Sequence, residues 1–183
     1  MDHRIRLALQ SGSVYKLGGP GSEIESDETL VGGKAKNMHA SRRAQFKAAR
    51  ESAMTGDANL VNKTAVWGVL DREQRKVRAT VVLKVNREAL QTAVLNQVEY
   101  GSKIYTDEAK VYHSLPKEYV HEFVNHMEKY VQGRVHTNGL ENFWSLLKRG
   151  INGTYVSVEP FHLFRYLDEQ SFRFNNREIA ICR

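Results

Sequence analysis

Asp27 falls inside a strand-like run, Asp107 at the end of another, and Glu141 near the start of an amphipathic helix that carries Lys148 two turns later. Carboxylates that converge on a hard divalent cation can cut a phosphodiester backbone at neutral pH. Oxygen ligands suit magnesium, and its octahedron keeps room for waters and phosphates. The segment that anchors this possibility is His136-Thr137-Asn138-Gly139-Leu140-Glu141-Asn142-Phe143-Trp144-Ser145-Leu146-Leu147-Lys148-Arg149. In a helix starting near Asn138, Glu141, Ser145 and Lys148 fall at i, i+4 and i+7. They share one stripe, because seven residues miss two full turns by only about 20°. Leu140, Phe143, Trp144 and Leu147 form the neighbouring apolar stripe. A glutamate and a lysine can therefore face a cleft while the aromatic side holds the helix. The helix pattern by itself fits ordinary surface charges better than a site, and Phe143 and Trp144 read as core residues rather than base-stacking platforms.

The elements that must position these groups follow from periodicity. Residues 22–31 alternate, with Glu23, Glu25, Asp27, Thr29 and Val31 on one face and Ile24, Ser26, Glu28 and Leu30 on the other. Acids aligned on one strand face disfavour each other's ionisation unless a cation or base relieves them. Glu25 is accordingly either a ligand or a repelled neighbour of Asp27, while Glu28 and Glu108 point away and make structural contacts. Upstream, Gly18-Gly19-Pro20-Gly21 breaks a helical tail at residues 3–11. Residues 65–71 and 77–85 form a hairpin with Asp71 in its turn. Asn86 caps a helix reaching about Asn96, with Leu90, Val94 and Val98 buried. Residues 102–106 are a further strand delivering Asp107, followed by a short helix with Val111 and Tyr112 inward. Residues 119–126 are again extended. Helices at 138–149 and 159–174, separated by a connection over 150–158, close the chain. This order predicts an α/β fold, a mixed sheet with helices on its faces.

A chain of 183 residues is enough for one compact domain with a sizeable core. Its net charge of +6 and isoelectric point near 9.4 favour an anionic partner, nucleic acid first among them. Lys34, Lys36, Arg42, Arg43, Lys47 and Arg50 occur with no acid until Glu51. That stretch is either a solvated segment or an arm that neutralises phosphates. The single cysteine, Cys182, excludes an internal disulfide and a multi-cysteine zinc site. No run of about 18 apolar residues suggests a membrane span, and no signal peptide opens the chain, so a cytoplasmic or DNA-associated protein is expected. His121 and His126 are spaced by five, not the i, i+4 of a helical metal pair. Gly32-Gly33-Lys34 lacks the spacing of a nucleotide phosphate loop.

The segment from His136 to Gly150, continuing through Gly153-Thr154-Tyr155, Pro160, His162-Leu163, Arg165-Tyr166-Leu167-Asp168-Glu169 and Phe172-Arg173-Phe174-Asn175, resembles the signature of the ISXO2-like bacterial insertion-sequence transposases. Asp27-Glu28-Thr29 with Gly32-Gly33-Lys34, and Tyr105-Thr106-Asp107-Glu108, extend the resemblance over roughly residues 17–177. The resemblance implies a ribonuclease H-like catalytic domain of the DDE type at residues 22–177. Residues 1–21 would be the remnant of an N-terminal linker or helix, and 178–183 a tail. It implies Asp27, Asp107 and Glu141 as metal ligands, with Mg²⁺ as cofactor and Mn²⁺ as a substitute. Lys148 would act beside the scissile phosphate. Lys34, Lys36, Arg42, Arg43, His136, Asn138 and Arg149 join Lys148 as DNA contacts. Asn138 stands where some relatives have a third catalytic residue, but Glu141 is the better ligand on charge.

The implied partners are DNA at the element ends and at the target, without a membrane, and a homo-oligomer in a synaptic complex is compatible with that role. The implied location is the bacterial cytoplasm, in association with the nucleoid. Relatives are expected to carry an N-terminal zinc ribbon and helix-turn-helix, which this chain lacks. The alternatives are therefore an excised or truncated catalytic domain, an inactive DNA-binding relative, or a nuclease such as a junction resolvase.

Overall fold

The computed structural model describes residues 15–32, 39–41, 44, 63–83, 85–106, 119–123, 137–155 and 158–178. The expected helical tail at 3–11, the short helix after Asp107 and most of the basic stretch after Gly32 lie outside these residues. Strands β1 (Glu23–Val31), β2 (Thr64–Asp71), β3 (Lys76–Val82), β4 (Lys103–Thr106) and β5 (Val120–Phe123) form one sheet in the order β3-β2-β1-β4-β5. β1 and β2, and β2 and β3, are antiparallel; β1–β4 and β4–β5 are parallel. Helices α1 (Arg87–Gln97), α2 (Asn138–Gly150) and α3 (Leu163–Asn175) cover the sheet. The α/β class and the ribonuclease H-like arrangement, a mixed sheet flanked by helices, are the ones expected.

Each face of the sheet has its own core. On one side, Val31, Val66, Leu70 and Val77 pack against Leu140, Phe143, Trp144 and Leu147 of α2 and Leu163, Leu167 and Phe174 of α3. On the other, Ile24, Trp67, Val69 and Ile104 meet Leu90, Val94 and Val98. The period-two alternation of β1 sorts these sets: Glu25 pairs with Leu70 and Asp27 with Gly68 on the α2 side, while Ile24 and Ser26 lie on the α1 side.

Local chemistry explains the boundaries. The Asn86 side chain accepts the Ala89 amide at 2.9 Å, the N-cap expected from sequence. Asp71 closes the hairpin by accepting the Glu73 and Gln74 amides, both at 2.9 Å. Its other oxygen accepts the Gly18 amide at 3.2 Å, which ties the glycine-rich segment to the sheet. β3 stops at Val82 rather than continuing to residue 85, because its partner β2 begins at Thr64 and the last pair is Ala65 with Val82. Leu83, 97% exposed, has left the sheet. The described part of the extended run at 119–126 is confined to β5.

The connection after α2 is also more ordered than sequence suggests. A π-helical turn, Ile151–Tyr155, continues α2, and Pro160 opens a 3₁₀ turn, Pro160–His162, that leads into α3. At the far end of α3, the Asn175 amide binds both backbone groups of Val77 (2.7 and 2.9 Å), occupying the outward edge of β3. No described helix is long and apolar enough to cross a membrane.

Candidate active site

Asp27 lies midway along the central strand, at the point where the sheet changes character. The described part of β4, the parallel neighbour of β1, reaches Thr106, which is level with Ser26. Asp27 is thus the next residue of β1 after its described pairing with β4, while β2 pairs with it through Gly68 on the other side. In open α/β sheets the carboxyl ends of parallel strands are where ligands gather. Asp107 is next in sequence after Thr106 but lies outside the described residues.

Two acids of β1 hold α2 in place. Glu25 is buried, 1% exposed. One of its oxygens accepts Nε of Arg72 at 2.8 Å, and the other accepts the Leu140 backbone amide at 2.9 Å. The Thr137 side chain makes no capping bond, so a carboxylate from another element satisfies one of the amides exposed at the start of α2, with the helix dipole favouring the charge. Arg72 also donates to Glu23 at 3.1 Å and stacks 4.4 Å from the centre of the Tyr105 ring. A side chain at Gly139 would place its Cβ 2.8 Å from the Glu25 carboxylate, so the helix approaches this closely only with glycine there. Glu25 is therefore neither a repelled neighbour nor a ligand in waiting; Arg72 and α2 neutralise it.

One turn along the helix, Trp144 donates its indole N–H to Oδ2 of the half-buried Asp27 at 2.9 Å. The strand opposite makes room for it. A Cβ on Gly68 would lie 2.5 and 2.6 Å from ring carbons of Trp144, which no side chain could occupy without displacing the indole. The two grips are commensurate: four residues of helix rise about 6 Å, and two residues of strand advance about 6.7 Å. Leu140 over Glu25 and Trp144 over Asp27 thus lock α2 along β1.

That lock sets the phase of the helix. At about 100° per residue, Glu141 stands about 60° and Lys148 about 40° to one side of Trp144, whereas Phe143 stands about 100° to the other. Phe143 packs edge-on against Phe174 of α3, at 5.4 Å, and α3 lies on β3. The flank bearing Glu141 and Lys148 therefore turns away from β3, toward the side of Asp27 and β4.

Of the residues singled out from sequence, Asp27 is on β1 and Asn138, Glu141, Lys148 and Arg149 are on α2, all four helical residues exposed. Lys34, Lys36, Arg42, Arg43, Asp107 and His136 lie outside the described residues. Among the described residues no cluster of three acids, histidines or cysteines forms a metal centre. Sequence reasoning missed the part played by Trp144, Gly68 and Arg72. The only signal available was general: a buried indole N–H requires an acceptor.

The chain is thus a mixed sheet whose central strand carries Asp27 under a helix bearing Glu141 and Lys148. Residues 16–175 match the ISXO2-like transposase domain, and the chain belongs to that family. No curated protein matches it. Among solved structures it is similar to the catalytic core domain of BIV integrase, with 10% identity over 81% of this chain and 80% of that one and a TM-score of 0.46. The HTLV-2 integrase catalytic core domain in complex with magnesium shows 11% identity over 86% and 87%, with a TM-score of 0.40. A chain of the simian T-cell lymphotropic virus intasome in complex with PP2A regulatory subunit B56 gamma shows 13% identity and a TM-score of 0.47. This chain is covered over 88% of its length and spans about half, 51%, of that chain.

Proposed function

We propose that this chain is the catalytic domain of a transposase that cleaves DNA at the ends of an insertion sequence and joins the 3′-ends to a target. The observation that supports the proposal is Asp27 on the central strand beside β4, held by Trp144 of the helix that also carries Glu141 and Lys148. The residues suit a hard cation: Asp27, Asp107 and Glu141 offer carboxylate oxygen only, the donor type magnesium prefers, with manganese as substitute. Asp107 follows Thr106 directly in sequence, and the proposal assigns its carboxylate to the same ion as Asp27 and Glu141. Bound there, the ion would activate a water or the DNA's own 3′-hydroxyl as nucleophile and stabilise the leaving oxygen.

The chain's own part is orientation and charge. Lys148, two turns along the stripe from Glu141, would hold the scissile phosphate, and Asn138, His136 and Arg149 would contact the flanking backbone. Lys34, Lys36, Arg42 and Arg43 would form a phosphate-binding arm, so DNA affinity should fall steeply with salt. In cleavage, a water oxygen attacks phosphorus, the P–O3′ bond breaks, and the departing oxygen takes a proton to become a 3′-hydroxyl. In joining, that hydroxyl attacks a target phosphodiester and a target 3′-hydroxyl leaves. A DNA substrate of this kind would be met in the cytoplasm with the nucleoid, and a homo-oligomer in a synaptic complex is compatible with that role.

The test is metal-dependent nicking and joining of duplexes carrying the ends of the encoding element. Asp27→Asn, Asp107→Ala and Glu141→Gln should each abolish both reactions while retaining DNA binding. Lys148→Ala should weaken DNA engagement more than metal binding. An intact chain no more active than Asp107→Ala, with both still binding DNA, would establish an inactive DNA-binding relative instead. Cleavage without any joining would point to a nuclease such as a junction resolvase.

A further inference from the structure

We infer that Trp144 is a positioning residue for the metal site, its indole N–H fixing the Asp27 carboxylate in the orientation that receives the ion. The inference rests on the proposed role of Asp27 as a ligand. Three observations carry it. The indole donates to Oδ2 of Asp27 at 2.9 Å, a bond to an ionised acceptor, which is stronger and more directional than one between neutral groups. Gly68, the residue paired with Asp27, leaves open the space that the ring fills, with Trp144 carbons 2.5 and 2.6 Å from where a Cβ would stand. The backbone of α2 is itself fastened to β1 through Glu25, so the donor is carried on a seated element rather than a loop. Groups that hold a metal ligand from behind typically contribute ten- to a hundredfold to metal affinity.

The alternative is that Trp144 is a core residue whose N–H has merely found the nearest acceptor. The two tryptophans of the chain separate these cases, because Trp67 donates at 3.0 Å to the Ser26 hydroxyl, one residue away on the opposite face. In the full-length chain labelled with ¹⁵N, the two indole N–H resonances are assigned by Trp67→Phe, and MgCl₂ is titrated while calorimetry follows binding. The Trp144 resonance should move along the calorimetric curve while that of Trp67 holds its position. Trp144→Phe should raise the magnesium or manganese concentration for half-maximal cleavage about ten- to a hundredfold, with cleavage at saturating metal less affected.

Metal binding by calorimetry with a stationary Trp144 resonance overturns this inference and leaves the proposed function standing. An unchanged metal requirement in Trp144→Phe does the same. The absence of any metal binding overturns the ligand assignment and the inference with it. The resonance experiment uses the unmodified Trp144 side chain, so it decides the matter even if Trp144→Phe fails to fold.

Discussion

Trp67 and Trp144 are both buried, both belong to a core cluster, and both donate to adjacent residues of β1, yet they sit on opposite faces of the sheet. Trp67 gives its N–H to a serine hydroxyl wholly enclosed by the α1-side core. Trp144 gives its N–H to a half-buried carboxylate on the residue that follows Ser26, the last described partner of β4 on β1. The same side chain closes a hydrogen-bond account on one face and presents an acid on the other. What differs is the acceptor and the ground beneath the ring: Gly68 lies under Trp144, so the indole is brought to the backbone level of β1. Among the described residues, the α1 face offers the indole a neutral acceptor, and the α2 face offers it a carboxylate of the proposed site.

The largest blow to the α2 side should come from Glu25→Ala. Removing it takes from Arg72, whose side chain is only 14% exposed, one of its two carboxylate partners, and leaves the Leu140 amide without its acceptor. Breaking one partner of a buried pair costs about 3–5 kcal/mol. At roughly 2–4 °C per kcal/mol for a chain of this size, the melting temperature should fall by about 6–20 °C. Urea unfolding measures this directly. A loss below about 1 kcal/mol would mean that α2 is seated without Glu25.

Gly68→Ala should follow, at about 1–3 kcal/mol for overpacking, with cleavage reduced beyond what that loss of stability explains, because the added methyl displaces the indole from Asp27. Full cleavage in a destabilised Gly68→Ala protein would detach the slot from the site. Trp67→Phe is the matching change on the other face. It leaves the buried Ser26 hydroxyl without the indole donor, at about 1–3 kcal/mol. Cleavage measured well below the melting temperature should stay at the parent level. Were cleavage to fall there as it does in Trp144→Phe, the distinction between the faces would vanish.

The parts of this contrast differ in how far sequence reveals them. The Asn86 cap, the Leu90–Val94–Val98 stripe and the Leu140–Phe143–Trp144–Leu147 stripe depend on neighbours a turn or two away, and local periodicity exposes them. The alternation of β1 likewise places Glu25 and Asp27 on one face. The bonds that give those acids their roles join residues 115 and 117 positions apart. Nothing local distinguishes a carboxylate that caps a distant helix from one awaiting a cation. Arg72 looks like an ordinary turn residue until the fold sets it beside Glu23 and Glu25. The end of β3 was misjudged for a related reason: strand length is set by the partner, and β2 runs out before the apolar run of β3 does.

The smallest expected effect concerns charge on the α2–α3 side outside the proposed site. Burial raises the carboxyl of Asp168 on α3 above the ordinary aspartate range, against an opposing pull from Arg165. A carboxyl with a raised folded-state pKa binds its proton more tightly folded than unfolded. Its favourable contribution is complete below the unfolded value, about 3.9, and is lost as pH rises through the folded one. Asp168→Asn should therefore be slightly more stable than the parent at neutral pH, with the advantage shrinking to nothing in acid. The gain is small because the group is half-exposed and solvent screens its charge. Urea midpoints across pH for both proteins measure it, and an Asp168→Asn protein less stable at neutral pH would show that attraction to Arg165 outweighs desolvation. Either sign separates a pH dependence of folding on this side of the sheet from one belonging to cleavage at Asp27.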